Sequence, residues 1–336
     1  MNILIIGLGS IGQRHMRNID LVYKNKVNFF AIRKKFKTPH LSKSNKPLIS
    51  KVNKRYNLKN FNSLNEIKKQ KIKIHAAFIC TPTSEHLKSV FWLLKNDINI
   101  FIEKPLSNNL NKIMNLQKNL KKSKSITMMG YQMRFDPIIN FLKNQKKIKK
   151  LIGNINYVQI DHGEDVRNFH SWEDYSKSYT SLKKLGGGVT LSQIHEFEYF
   201  QNIFSGYKVI KSTSIIEKVS NLKIDVDDTS SHIFLIKKKN NKIVCNLNLN
   251  FYEGKSNRQI KFIGNNGLIK ADLNKKYISI DSGRKIKKIK FNYDRNDLFI
   301  KELKYFFNLI KFKKLYHNID IRHGINNLKF VLKLFK

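Results

Sequence analysis

Gly7, Gly9 and Gly12 stand in the spacing G-x-G-x-x-G within the first dozen residues. A turn of that kind can hold a diphosphate. Its first glycine permits the tight turn, its second lets the backbone approach the phosphates, and its third lets helix pack close to strand. Ser10 and Ile11 lie inside the turn, where backbone N–H groups meet an anion at the positive end of the helix that follows. The chemistry this implies is dinucleotide binding. About 20 residues beyond such glycines, NAD-binding chains place a carboxylate on the ribose 2′-hydroxyl. Here that place holds Arg33, followed by Lys34 and Lys35, with no acid nearby. A guanidinium suits a 2′-phosphate, so the cofactor reading is NADP or NAD, with NADP slightly favoured.

These residues need a strand before the glycines and a helix after them. Ile3 to Ile6 is a short continuous apolar run, the pattern of a parallel strand buried on both faces. Residues 13–23 read as the helix. Further strands at 27–32, 73–80, 99–102 and 125–130 alternate with amphipathic helices at 84–95 and 110–121. That alternation predicts right-handed βαβ units and a doubly wound parallel sheet, the Rossmann arrangement. Beyond it the pattern changes. A helix near 137–147 precedes an alternating strand at 154–162, an aromatic-rich loop at 169–175 and a helix at 189–204. Alternating segments then run from 208 to 291 with no helix between them, which predicts a large open, mostly antiparallel sheet. Helices at 297–312 and 319–335 close the chain. The fold class is α/β, with a dinucleotide-binding domain over 1–125 and a substrate-binding and oligomerisation domain over 126–336.

Charge is the loudest feature and says least about function. The formal net charge is +41, from 65 basic against 24 acidic residues, and only ten of the basic residues are arginine. A surface built to grip nucleic acid spends more on arginine, whose fork reads phosphates bidentately. Lysine strewn through the chain with much asparagine and isoleucine is instead what an AT-rich genome produces at solvated positions. A nucleic-acid partner is therefore not expected. No apolar run reaches membrane-span length, and the chain starts with a core strand in place of a secretory signal. Cys80 and Cys245 sit in apolar stretches without disulfide or metal spacing, which fits reduced core thiols, no metal site and a cytoplasmic protein.

Several short signals then line up in order. Gly7-Leu-Gly-Ser-Ile-Gly-Gln-Arg-His15 is followed by Cys80-Thr-Pro-Thr-Ser-Glu-His86, Glu103-Lys104-Pro105, Gly130-Tyr-Gln-Met-Arg134, Gly186-Gly-Gly-Val189 and His195-Glu-Phe-Glu198. Together they resemble the Gfo/Idh/MocA oxidoreductase family over essentially the whole chain. The stretch from Trp172 to His195 resembles members linked to surface-glycan and nucleotide-sugar biosynthesis. The resemblance implies NAD(P)-dependent oxidation or reduction at a secondary alcohol of a sugar, nucleotide sugar or cyclitol. It also implies a dimer or tetramer built through the C-terminal sheet. Thr81, Pro82, His86 and Glu103 match positions near the cofactor.

Hydride transfer at a carbinol carbon requires the hydroxyl proton to move as the hydride does. Lys104 ends a parallel strand, so it faces the crevice beyond the strands' carboxyl ends and can bond the reacting oxygen there. Glu103 helps to set its position, and a cis Lys104–Pro105 bond resembles a family feature. His195 matches the acid/base position, and an imidazole can both take and return a proton near neutrality. Arg134 and Arg167 are candidates for an anionic substrate; Trp172, Tyr175 and Tyr179 are candidates for stacking on a sugar. The chain departs from the family pattern at Leu191 and Ser192, where many members carry an Asp before the histidine. Glu196 lies about a hundred degrees away on the helix. That departure leaves two alternatives open: glycoside cleavage by transient oxidation, and a non-enzymatic cofactor-sensing or polyanion-binding role.

Overall fold

Strand β1 (Asn2–Ile6) runs through the centre of the first domain, with Ile3, Leu4 and Ile5 wholly withdrawn from solvent. The structure is a computed structural model describing all residues except 25, 34–38, 171, 284 and 336. Beside β1 lie β2 (Asn28–Ile32), β3 (Lys59–Phe61), β4 (Ala76–Ile79), β5 (Asn99–Glu103) and β6 (Thr127–Gly130). All six are parallel, in the order β3-β2-β1-β4-β5-β6. Burial on both faces explains why these strands read as continuous apolar runs rather than alternating ones. The order reverses direction between β1 and β4, which opens a crevice at their carboxyl ends. Helix α1 (Ser10–Tyr23) leaves β1 through the glycines; α2 (His86–Lys95) and α3 (Ile113–Lys122) follow β4 and β5. The expected division after residue 125 falls one strand short of this sheet's edge, because β6 pairs with β5.

The second sheet has eight strands: β7 (Ile155–Asp165), β8 (Lys208–Glu217), β9 (Thr229–Lys238), β10 (Asn241–Asn250), β11 (Tyr252–Gly264), β12 (Gly267–Asp272), β13 (Tyr277–Asp281) and β14 (Ile286–Lys290). Their order is β8-β9-β10-β7-β11-β12-β13-β14. The sheet is antiparallel apart from the β10–β7 pair, which is parallel. Along β10 the alternation is clean: Ile243, Cys245, Leu247 and Leu249 point into the core, while Val244 and its alternates face outward. Helix α4 (Ile194–Ile203) packs on the inner face and is buried on nearly all sides.

Two departures from the sequence expectations shape the site. The segment 189–204 is two helices, not one: a short helix, Val189–Ser192, is broken from α4 at Gln193. Helix α5 (Arg295–Lys311) comes from the end of the chain yet covers the first sheet, where Phe306 meets Phe78 edge-on at 5.6 Å between ring centres. Leu303, Phe306 and Phe307 share one core with Ile3, Ile5 and Phe101. Helix α6 (Ile321–Lys333) then packs beside β6. The two sheets are tied together by the chain's last forty residues as well as by the link after β6.

Candidate active site

Beyond the carboxyl ends of the parallel strands lies a cleft of about 1060 Å³, walled by residues from both halves of the chain. The glycine turn forms one side of it. Gly7 sits at φ +90°, and a methyl group there would meet the Cys80 carbonyl oxygen at 2.6 Å. A methyl on Gly12 would lie 2.2 Å from the Gly7 carbonyl oxygen, whereas one on Gly9 would meet nothing within 4 Å. Two glycines are therefore fixed by packing within the protein, and the third is the one left facing open space. No side chain caps the start of α1, and its first turn holds no acid. Gly9, Ser10 and Ile11 line the cleft, so uncapped amides at the positive end of a helix face it. The expected diphosphate seat fits these residues.

The opposite strand ends carry the candidate chemistry. Glu103 is buried against Gly130, its neighbour in the β5–β6 register, where the missing side chain leaves room for the carboxylate. His15 Nε2 of α1 donates to Glu103 Oε1 at 2.6 Å, tying the phosphate helix to the end of β5. His86 is buried between the Pro105 and Thr81 carbonyl oxygens at 2.8 and 2.9 Å, which joins the ends of β5 and β4. It braces the wall rather than lining the cleft; burial lowers its pKa, and the two carbonyls oppose that shift. The Lys104–Pro105 bond is cis.

Lys104 faces the cleft, and its Nζ donates to the Ser192 carbonyl oxygen at 2.5 Å. The break at Gln193 makes this bond available. In an unbroken helix the Glu196 N–H would take the Ser192 carbonyl, but here it donates to Gln193 O at 3.1 Å. Burial lowers the pKa of Lys104, opposed by Glu103 and Glu196. His195, one turn further on, is buried but lines the cleft, with neither ring nitrogen hydrogen-bonded to another described residue. Burial, then the neighbouring charges of Lys104, Arg258 and Arg295, hold it well below the ordinary histidine range, so it is neutral. Glu196 does not serve His195: its Oε1 accepts from Arg258 Nε at 2.8 Å and from a second guanidinium nitrogen.

The remaining expected residues divide. Thr81, Pro82, Trp172 and Tyr179 line the cleft. Burial raises the Tyr179 phenol to about 12, with Glu103 adding to the shift. The Trp172 ring lies 4.8 Å from that of His170. The His170 Nδ1–H donates to Glu173 Oε1, leaving Nε2 to accept from Ser10 Oγ at 3.3 Å. The second domain's aromatic loop thus reaches across to the phosphate turn. Arg134, Arg167 and Tyr175 lie elsewhere. Arg134 Nε donates to buried Glu198 at 2.5 Å and faces a separate cavity of about 450 Å³. Arg167 forks onto Asp165 at the protein surface, and the Tyr175 hydroxyl accepts from the Lys223 N–H at 3.1 Å. Each bonds to a partner within the protein, and none of the three lines the cleft. Arg33, at the end of β2, is largely buried and just outside the lining, which reaches Ile32; Lys34 and Lys35 lie outside the described residues.

Arg258, Arg295, Glu164 and Gln193 also line the cleft, and nothing in the local sequence singles them out. Arg258 is on β11 and Arg295 opens α5, each far from any motif. One signal did exist: arginine is scarce in this chain.

The comparisons with known proteins fit this geometry. Residues 1–131 match the profile of a family described as "Oxidoreductase family, NAD-binding Rossmann fold". A myo-inositol 2-dehydrogenase of Thermotoga maritima is 25% identical over 169 residues, an alignment spanning 46% of this chain and 41% of that protein. Among solved structures, UDP-N-acetylglucosamine 3-dehydrogenase from Acidithiobacillus ferrooxidans superposes with a TM-score of 0.74 at 16% identity, covering 100% of this chain and 96% of its own. A levoglucosan dehydrogenase in complex with NADH gives 0.78 at 14% identity, with 100% and 96% covered. At such identities these two share the fold.

Proposed function

We propose that this chain, which belongs through residues 1–131 to the Gfo/Idh/MocA oxidoreductase family, interconverts a secondary alcohol and a ketone on a sugar, nucleotide sugar or cyclitol. The observation that carries the reading is the convergence on one cleft of an open glycine turn, a strand-end ammonium and an unpartnered neutral imidazole. The matched relative's name, a myo-inositol dehydrogenase, supports the substrate class. A bound nicotinamide supplies the hydride acceptor or donor. Gly9, Ser10 and Ile11 hold the diphosphate with backbone amides. Lys104 keeps one N–H on Ser192 O and directs the others at the substrate oxygen, where they stabilise developing alkoxide charge. His195, neutral and without another partner, takes the hydroxyl proton in the oxidative direction and returns it in the other. Ser192 provides through its backbone an anchor for Lys104 at the place where the family Asp is missing.

NADP is the favoured cofactor in this reading, because Arg33 stands where an NAD site places its acid. A dimer or tetramer formed through the outer face of the second sheet, a role in surface-glycan synthesis and a cytoplasmic location belong to the same proposal. Ile215, Ile233 and Val244 are exposed on that outer face, and no helix among the described residues is long and apolar enough to cross a membrane. The test is a screen of nucleotide sugars, free sugars and inositols with each cofactor, followed by reduced-cofactor absorbance. Turnover with at least one is expected, with tighter binding of NADP than NAD. Cofactor binding without turnover on any of them would count against a dehydrogenase, and tighter NAD binding would remove the role given to Arg33.

A further inference from the structure

The cleft is far richer in arginine than the chain. The sequence has ten arginines and 55 lysines; among the described residues Arg14, Arg258 and Arg295 line the cleft, and of the lysines only Lys88, Lys104 and Lys177 do. Lysine bias acts on every solvated position alike, so arginine concentrated at one site reflects a need that an ammonium does not meet. That need is a planar fork of donors, which matches the two oxygens of a carboxylate or phosphate.

Of these arginines, Arg258 and Arg295 are the two that act electrostatically on His195, which lines the same cleft. Arg258 is held by Glu196 through Nε and one terminal nitrogen, so the guanidinium is fixed while its remaining donors meet no partner among the described residues. Arg295 opens the long helix α5 and makes no hydrogen bond or ion pair with another described residue. Three acids of the lining are already engaged: Glu103 is bonded to His15, Glu173 to His170 and Glu85 to Lys88. Glu164 lies 3.3 Å from His162, whose Nε2 makes no hydrogen bond among the described residues. Glu164 acts on both guanidinium groups through space, and Arg258 and Arg295 repel each other. Glu164 offsets part of that repulsion without a hydrogen bond to either guanidinium among the described residues, and an anion that bridges both lowers the cost further.

We infer that Arg258 and Arg295 form a subsite for an oxyanion carried by the substrate, beside the carbon whose hydroxyl faces Lys104 and His195. This rests on the reading of the cleft as a sugar-oxidoreductase site and narrows its substrate to anionic sugars. The oxyanion is either a carboxylate on the ring or a phosphate attached to it. Arg258 is a pre-set donor locked by Glu196; Arg295 is the donor that closes on the ligand.

The test is calorimetric titration of the NADPH-loaded protein at fixed, high ionic strength, which screens the general attraction of a +41 chain for anions. Three matched pairs are compared: D-glucuronate with D-glucose, glucose 1-phosphate with D-glucose, and UDP-glucuronate with UDP-glucose. At least one charged member binds about tenfold tighter than its neutral match, and the carboxylate and phosphate arms identify which oxyanion is read. Arg295→Gln, which leaves no partner unsatisfied, reduces that preference to about twofold or less. Arg258→Lys keeps a cation against Glu196 while losing the fork, and weakens the same preference; a thermal melt of each variant excludes unfolding. The subsite is refuted if no pair shows a preference, if the preference survives both substitutions, or if Arg295→Gln weakens NADPH instead of the sugar. Arginine-dependent binding without hydride transfer would sink the oxidoreductase reading and leave the subsite standing. Turnover of neutral sugars without preference would do the reverse.

Discussion

Replacing Gly9 with alanine separates a dinucleotide site from a merely glycine-rich turn. Gly9 adopts φ −73° and ψ −164°, a conformation open to any residue, and the added methyl would find no atom within 4 Å. In the empty protein the substitution should therefore be neutral or stabilise by about 0.4–1 kcal/mol, through the lower entropy of the unfolded chain. The methyl would nevertheless stand where the backbone must meet a diphosphate. Losing one charge-assisted N–H bond costs about 1.5–3 kcal/mol, and about 1.4 kcal/mol is a tenfold change in Kd. The expected result is a melting temperature at or slightly above that of the parent, together with NADPH binding weakened about 10- to 100-fold in a fluorescence titration. Gly12→Ala is the contrast. Its methyl would lie 2.2 Å from a backbone carbonyl that cannot swing away, so stability itself should fall, by about 2–4 kcal/mol. Unchanged NADPH affinity in Gly9→Ala, or a melting temperature as low as that of Gly12→Ala, would refute the assignment of the turn.

Three further outcomes follow from the site. Lys104→Met should lower kcat by about 10²-fold or more while the cofactor Kd holds, since the ammonium acts on the reacting oxygen; wild-type turnover in that variant would exclude the role. His195→Asn should lower kcat to a similar degree. Because burial and neighbouring cations hold His195 well below the ordinary 6.5, the imidazole stays neutral as pH falls through that value, so oxidative kcat/KM should persist there; an acid limb centred near 6.5 would contradict this. Acid stability tests two buried histidines that have no role in the proton transfer. His162 and His232 are both held near 4, chiefly by burial. The unfolded chain thus binds more protons between about pH 6.5 and about pH 4, and stability should fall across that window by up to about 1.4 kcal/mol per pH unit for each histidine. His232→Gln should flatten the slope in denaturant titrations, and an unchanged slope would speak against the buried neutral state.

Much of this was legible in the chain itself, because it rests on local rules. A strand buried on both faces has to be apolar throughout, and Ile3 to Ile6 says so. Glycines are required where a backbone turns with positive φ or where two backbones touch: Gly7 meets both conditions and Gly12 the second. Alternation of period two announced the second sheet, and strand–helix alternation announced the first. Placement of Lys104 at a strand end followed from the same patterns.

Side chains brought together from distant elements are another matter. Whether Arg134 or Arg258 faces the cleft depends on which buried acid claims it, and Glu198 and Glu196 lie only two residues apart on one helix. The break at Gln193 that hands the Ser192 carbonyl to Lys104 is a tertiary outcome, since nothing in Leu191 to Glu196 forbids a continuous helix. Arg295 joins the site only because α5 returns from the end of the chain to cover the first sheet. The sequence alone thus determined the two sheets, the phosphate turn and the strand-end lysine, for these follow from period and backbone sterics. Only the packed structure decided which charges pair inside the protein and which remain for a ligand, because that choice is made by burial between elements that the linear order keeps apart.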